Sequence, residues 1–488
     1  MHATNKPLLG ERLGAGWSKW WSWLSAFTGL LTILGCIQGA TPQRLAASDP
    51  NFAHIASLGG VETASATAAA QTKAAQGTAA STYQWPYPPA ASKKGLQVEL
   101  VDDALELGIQ HAGLNINLTQ LVNPSPSSSA ATGPQVEIDG RVFHFHRSYL
   151  EGLDRQIKTL SEAGVLVNVI VLTYLSGDPI VNALMIHPDC LAEPPNRLGA
   201  FNNRTAEGRA WLTASLQFLA ERWSRTDQQF GRVVGWIVGN EVNSHWWWAN
   251  MGPVTMEAFS EDYEQVVRLM HTAIRSQSAS SRVYVSLEHH WNIRYPAGDE
   301  TQAFAARSFL EHFAAIVRQR GDFDWHVAFH PYPENLFDAA FWEDSTATED
   351  DGTQRITPRN LPVLERFLAR PEMQFAGKPR RVILSEQGFH SAPTAESELT
   401  QAAAYCYAYR LIESMHTIDA FILHRHIDHP HEGGLNLGLR RRAAAGEGVE
   451  QRYPKKPIWD CFYAADRDNW QEVFEFALPE VGLKEWPE

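Results

Sequence analysis

The sequence predicts an α/β chain closed into a (β/α)8 barrel, the TIM barrel, with long βα-loop insertions. Three observations carry this. Runs of residues that are apolar at nearly every position recur along the chain, as strands covered on both faces require. Amphipathic helical patterns separate them. No glycine-rich phosphate loop follows the first clear run, as a doubly wound open sheet would have. The 488 residues accommodate a barrel of roughly 250 residues plus insertions.

The N-terminus precedes the fold. Lys6, Arg12 and Lys19 form a basic stretch ahead of an apolar segment from Trp20 to Gly35, the pattern of an export signal. This segment is shorter than a membrane span needs. It closes on Ile33-Leu34-Gly35-Cys36, which resembles the bacterial lipobox, whose cysteine is lipidated. Residues 1–36 are thus expected to export the chain to the periplasm or cell surface, with a lipid anchor to the membrane at Cys36. Residues 37–85 read as a flexible tether, because 57–82 are dominated by Ala, Thr, Ser, Gly and Gln and cannot offset the entropy of ordering. Residues 86–488 are expected to form the barrel domain.

Within that domain seven strands are legible, at 111–118, 165–172, 233–239, 282–287, 325–329, 381–385 and 418–424. The eighth either precedes a helix at about 93–109 or is a degenerate segment around Tyr83–Pro88. Leu150, Leu153, Ile157 and Leu160 share one helical face, and Ser148 with Glu151 has the form of a capping box at its start. Leu212, Leu216, Leu219 and Trp223 repeat the pattern, as do Phe259, Tyr263, Val266 and Met270 in a helix entered at Thr255.

Composition narrows the chemistry. Hydrophobic residues at 44% provide a full core, and the net charge of −14 repels polyanions, so nucleic acid is excluded as a partner. Four cysteines without a C-x-x-C exclude a disulfide framework, although one bridge among Cys190, Cys406 and Cys461 stays open. The 17 tryptophans suit core filling and stacking on sugar faces alike.

In a barrel of this kind the active site lies where the strands end. Two carboxylates stand there: Glu241 after Gly235-Trp236-Ile237-Val238-Gly239-Asn240, and Glu386 after Val382-Ile383-Leu384-Ser385. A carboxylate directly after a buried run is costly unless it is paired or functional. Glycosidic cleavage requires such a pair, one to protonate the leaving oxygen and one to attack or activate water. A carbohydrate substrate follows, with no cofactor and no metal. Asn117, His245, Trp246, Trp247, His289, His290, Trp291, His330, Tyr332, His424 and His426 are the candidate substrate-binding residues around the pair. Trp246 to Trp248 could form a stacking wall or a plug beneath a loop, and the His424–His431 segment a cationic rim for acidic sugars. Two competing classes remain. A metal-dependent amidohydrolase-like barrel would need an H-x-H at its first strand's end, where residues 111–118 carry only His111 at their start. A non-catalytic glycan-binding barrel would keep the cleft without turnover.

Asn240-Glu241, His330-Pro331-Tyr332 and Glu386-Gln387-Gly388, in this order, resemble the motifs of clan-A retaining glycoside hydrolases at their fourth, sixth and seventh strands. The likeness spans about 90 to 470 as scattered motifs and looks closest to a poorly characterised bacterial branch known as a domain of unknown function. It implies Glu241 as acid/base, Glu386 as nucleophile and Asn240 as a donor to the sugar 2-hydroxyl. The chain departs from that pattern twice. Asn115 and Asn117 stand where the family often has an arginine, and His424-Arg425-His426 where it usually has a tryptophan.

Overall fold

A run such as Leu166–Leu172, buried at all seven positions, cannot lie on a sheet with one face in water. Its β-branched residues suit a strand covered on both sides. In the computed structural model, which describes residues 85–126, 133–295, 299–443 and 445–487, such strands form a closed barrel. The strands are β1 (Lys94–Gln97), β2 (His111–Asn117), a hairpin of β3 (Gln135–Ile138) and β4 (Arg141–His144), then β5 (Leu166–Leu172), β6 (Val233–Val238), β7 (Arg282–Glu288), β8 (Trp325–His330), β9 (Val382–Gln387) and β10 (Ile418–Leu423). All but the hairpin belong to the barrel. Neighbours pair in parallel, and β10 returns to β1 through Gly95↔Ile422 and Leu96↔Leu423.

The principal helices are α1 (Val101–Glu106), α2 (Arg147–Glu162), α3 (Ala206–Arg222), α4 (Met256–Gln277), α5 (Ala306–Arg320), α6 (Pro362–Leu368), α7 (Ala395–Glu413) and α8 (Pro457–Ala464). Thr205 caps α3 by accepting from the Gly208 N–H, and Thr255 caps α4 by accepting from Ala258. Inside the barrel Ile170, Leu172, Ile237, Tyr284, Ala328, Ile383, Ala420 and Ile422 make one apolar cluster. The β3–β4 hairpin turns at Asp139-Gly140, both with positive φ, as a tight hairpin demands.

Two local expectations need correction. The missing strand is Lys94–Gln97, inside the segment read as a helix, and α1 covers only six residues. Four residues show no periodicity; pairing with β2 and β10 on both edges makes them a strand. The Ser148–Glu151 capping box does not open α2. His146 is the boundary residue, because its N–H is bonded to the Leu121 carbonyl and Phe145 to Pro134, which fixes the entry two residues early. Cys190, Cys406 and Cys461 are free thiols, so the open bridge is not formed. The expected export signal, Cys36 and the tether up to residue 84 lie outside the described residues. Among the described residues no helix is long and apolar enough to cross a membrane.

Candidate active site

The strand ends bring the two carboxylates together. After β6 the chain turns through Gly239 and Asn240 to Glu241, whose left-handed backbone (φ 40°) is uncommon for a residue with a side chain. The Glu241 N–H is held by Ser286 Oγ of β7 at 3.0 Å. Glu386 lies within β9. One carboxylate oxygen of Glu241, one of Glu386 and a ring nitrogen of His330 all fall within 4.8 Å of one another.

Each carboxylate has its own partners. His330, at the end of β8, places Nδ1 2.9 Å from Glu241 Oε1 and Nε2 3.0 Å from Ser385 Oγ. The Tyr332 hydroxyl donates to Glu386 Oε1 at 3.1 Å, and Gln97 Nε2, at the end of β1, donates to Oε2 at 3.2 Å. Burial raises Glu241 above the usual carboxylate range; the charges of Glu386 and Glu288 add to this and His330 only partly offsets it. Glu386 is equally buried, but His424 and His330 together with the Gln97 and Tyr332 hydrogen bonds outweigh that and hold it below the usual range. Two like groups in one pocket are therefore biased to opposite protonation states.

Residues 86–488 match the model of a family of unknown function, DUF5722. The chain belongs to that family. No curated protein matches it. Among solved structures, the DUF5722 chain is similar to a hyperthermophilic beta-glucosidase from Pyrococcus furiosus, at 15% identity and a TM-score of 0.50, over 78% of this chain and 86% of that one. It is also similar to a family 39 glycoside hydrolase from Bacteroides cellulosilyticus WH2, at 14% identity and a TM-score of 0.47, over 75% of this chain and 59% of that one.

The remaining candidates of the DUF5722 chain divide by direction. Asn240 follows the end of β6, and His289 and His290 follow the end of β7; Asn240 and His289 are buried. His290 Nδ1 is 2.5 Å from Glu288 Oε2, and Glu288 also accepts from Asn243 and Ser244. Burial would raise Glu288, but the two neighbouring histidines outweigh it and hold the carboxyl at about 2. Asn117 uses Oδ1 to accept from Thr119 and from the Tyr174 N–H, so it ties two βα-loops together. Trp246 and Trp247 are half-buried, whereas Trp248 packs with Tyr174 onto the barrel's inner cluster and serves as its plug.

Three candidates point away from the cleft. His245 is fully buried, stacked on Phe304 and bonded to the Thr301 carbonyl. Trp291 meets Phe367 of α6 edge-on and fills core. His426 Nε2 binds buried Asp103 at 2.7 Å while its Nδ1 accepts from the Glu99 and Leu100 N–H groups. All three follow strand ends, but their side chains turn under the loops. Within the segment expected to form a cationic rim, Arg425 is bonded to Glu99 and Glu432, and His424 to Glu432 and Gln97, whereas His429 is half-buried and His431 exposed.

Among the described residues two groups could be considered for a metal, Glu241–His330–Glu386 and Glu288–His289–His290. In the first, both His330 nitrogens are already engaged in hydrogen bonds. In the second, both Glu288 oxygens are filled by donors from Asn243, Ser244 and His290. His289 Nδ1, in the second group, is buried without a hydrogen-bond partner. Sequence reasoning missed Gln97, Ser385 and Glu432; only Ser385, inside the β9 run, carried a signal that could have found it.

Proposed function

We propose that the protein is an O-glycoside hydrolase that cleaves an oligo- or polysaccharide with retention, Glu386 acting as nucleophile and Glu241 as acid/base. The observation that carries this is the close approach of two half-buried carboxylates, oxygens within 4.8 Å, in environments that favour opposite protonation states. Retaining enzymes hold their carboxyls about 5–5.5 Å apart, whereas inverting ones leave about 6.5–9.5 Å for a water.

In the first step a Glu386 oxygen bonds to the anomeric carbon while the glycosidic bond breaks and Glu241 gives its proton to the departing oxygen. Glu241, now ionised, takes a proton from water, whose oxygen displaces Glu386 and frees the sugar. Tyr332 and Gln97 hold the attacking carboxylate by one oxygen each. With residues 1–36 read as an export signal, the substrate is an extracytoplasmic carbohydrate. Incubation with a panel of 4-nitrophenyl glycosides and plant and microbial polysaccharides tests the activity. Proton NMR of the first-formed product tests the mechanism. Release of the inverted anomer would reject the double displacement, and inertness across the panel would reject the hydrolase.

A further inference from the structure

The end of β10 delivers a histidine to the nucleophile by backbone packing. Gly388 lies so close to the His424 carbonyl that a Cβ there would stand 2.0 Å from that oxygen. The His424 N–H donates to the Gln387 carbonyl at 2.8 Å. The ring then meets Gln97, which itself touches Glu386.

Donor and acceptor accounting fixes the charge of that ring. Gln97 Nε2 faces Glu386 Oε2 at 3.2 Å and the Ser385 carbonyl at 3.4 Å, both acceptors, so the amide is oriented. Its Oε1 can only accept, and the atom it faces is His424 Nδ1 at 2.7 Å, which must therefore carry a hydrogen. His424 Nε2 faces Glu432 Oε1 at 3.0 Å. That oxygen also accepts from the Arg425 guanidinium, which keeps Glu432 ionised, so Nε2 must carry a hydrogen too. A ring with two N–H donors is an imidazolium.

We propose that His424 is a fixed imidazolium which, through Gln97, orients Glu386 and keeps it ionised as the positioning residue of the nucleophile. This rests on the reading of Glu386 given above. The groups facing His424 are Glu386, Glu432, Arg425 and Gln97; Tyr332 and His330 face Glu386 from the other side, and Glu99 lies behind Arg425. Two carboxylates this close resist ionising together, and a cation on one side decides which of them keeps the proton. The electrostatic balance agrees: burial works against charge on both partners, yet His424 is raised above the ordinary imidazole value and Glu386 is lowered.

The test uses the full chain and needs no substrate. With 15N-labelled histidine, the His424 resonance, identified by its loss in His424→Asn, is expected to keep the imidazolium signature above the ordinary imidazole midpoint of 6.5. A His424 that titrates near 6.5 or below overturns the proposal. With 13C-carboxyl glutamate, assigned through Glu386→Gln, the Glu386 midpoint is expected to rise by about 1–3 units in His424→Asn, which keeps a donor near the Nδ1 position without the charge. An unmoved midpoint overturns the proposal. Should His424→Asn fail to fold, Glu432→Gln keeps the ring and is expected to lower the His424 midpoint; no change there counts against the proposal. If the titrations come out as expected while no glycoside is cleaved, it is the hydrolase reading that falls.

Discussion

His330 joins Glu241 by a 2.9 Å contact between Nδ1 and Oε1, and the same ring reaches Ser385, the residue before the second carboxylate. The imidazole thus lies between the two glutamates and favours the ionised form of each. Its removal should shift Glu241, the proposed acid/base, in a known direction. Activity as kcat/KM is expected to follow a bell, falling on the acid side as Glu386 gains a proton, below 4.5, and on the alkaline side as Glu241 loses one, above 4.5. His330→Asn should move the alkaline limb up by about 1–3 units, because an interaction that favours ionised Glu241 is lost. Glu288→Gln should move it down by less, because a repelling charge is lost. Limbs that move the same way in both variants would show that Glu241 is not the group titrating.

The two carboxylates should also separate kinetically. Glu386→Ala is expected to remove turnover of every substrate. Glu241→Ala is expected to cost about 10²–10⁴-fold on glycosides with poor leaving groups, the usual worth of general acid catalysis. An activated nitrophenyl leaving group needs little protonation, so formation of the glycosyl-enzyme should be nearly spared, visible as a burst of nitrophenolate. A variant that lost both substrates equally would point to a structural role for Glu241.

Away from the cleft, Asp103 holds the C-terminal segment to α1. It accepts from His426 at 2.7 Å, from Arg440 Nε at 2.8 Å and from Trp459 at 3.3 Å, and all four side chains are buried. Burial would raise its carboxyl, but His426 and Arg440 outweigh that and hold it well below its ordinary 3.8. A depressed native value means stability that is complete above 3.8 and is lost as pH falls towards the folded-state value. Asp103→Asn should therefore cost up to about 3 kcal/mol at pH 7, since it removes the buried carboxylate and leaves Arg440 with the largely exposed Glu450 as its ion partner. The gap to the parent protein should narrow in urea titrations below pH 3.8. Activity well below the melting point should persist, because none of these groups touches the carboxylate pair.

These cases show what the sequence could reveal. Glu241 and Glu386 were legible because each follows a run that only a buried strand explains, and a closed barrel must gather its strand ends. Gln97 was not: β1 has four residues and Leu96 is its one large apolar side chain, so neither strand nor terminus left a pattern. His245, Trp291 and His426 follow strand ends as closely as the residues around the carboxylate pair do. Their direction is set by partners distant in the chain, such as Phe367 for Trp291 and Asp103, 323 residues away, for His426. Sequence position gave their height on the barrel, whereas packing gave their facing.

The third residue of the Glu-x-Gly motif carries the last prediction. Gly388 has no positive φ to justify it, so the demand for glycine is one of space. An added Cβ would stand 2.0 Å from the His424 carbonyl oxygen and 3.2 Å from Leu437 Cβ. The first is a backbone atom at the end of β10 and can yield only if that strand end moves. Gly388→Ala should therefore cost about 1–3 kcal/mol as overpacking does. Its larger effect should be on catalysis, because the same movement pulls His424 from Gln97 and Gln97 from Glu386. A misplacement near 1 Å is worth about 10²-fold in rate. Gly152→Ala provides the control: this glycine lies within α2 with nothing within 4 Å of an added Cβ, so alanine there should stabilise by up to about 1 kcal/mol and leave activity unchanged. Measured together by thermal unfolding and kcat, the pair separates steric placement of His424 from a general intolerance of alanine. Full activity in Gly388→Ala would mean that β10 accommodates the methyl group without disturbing Glu386.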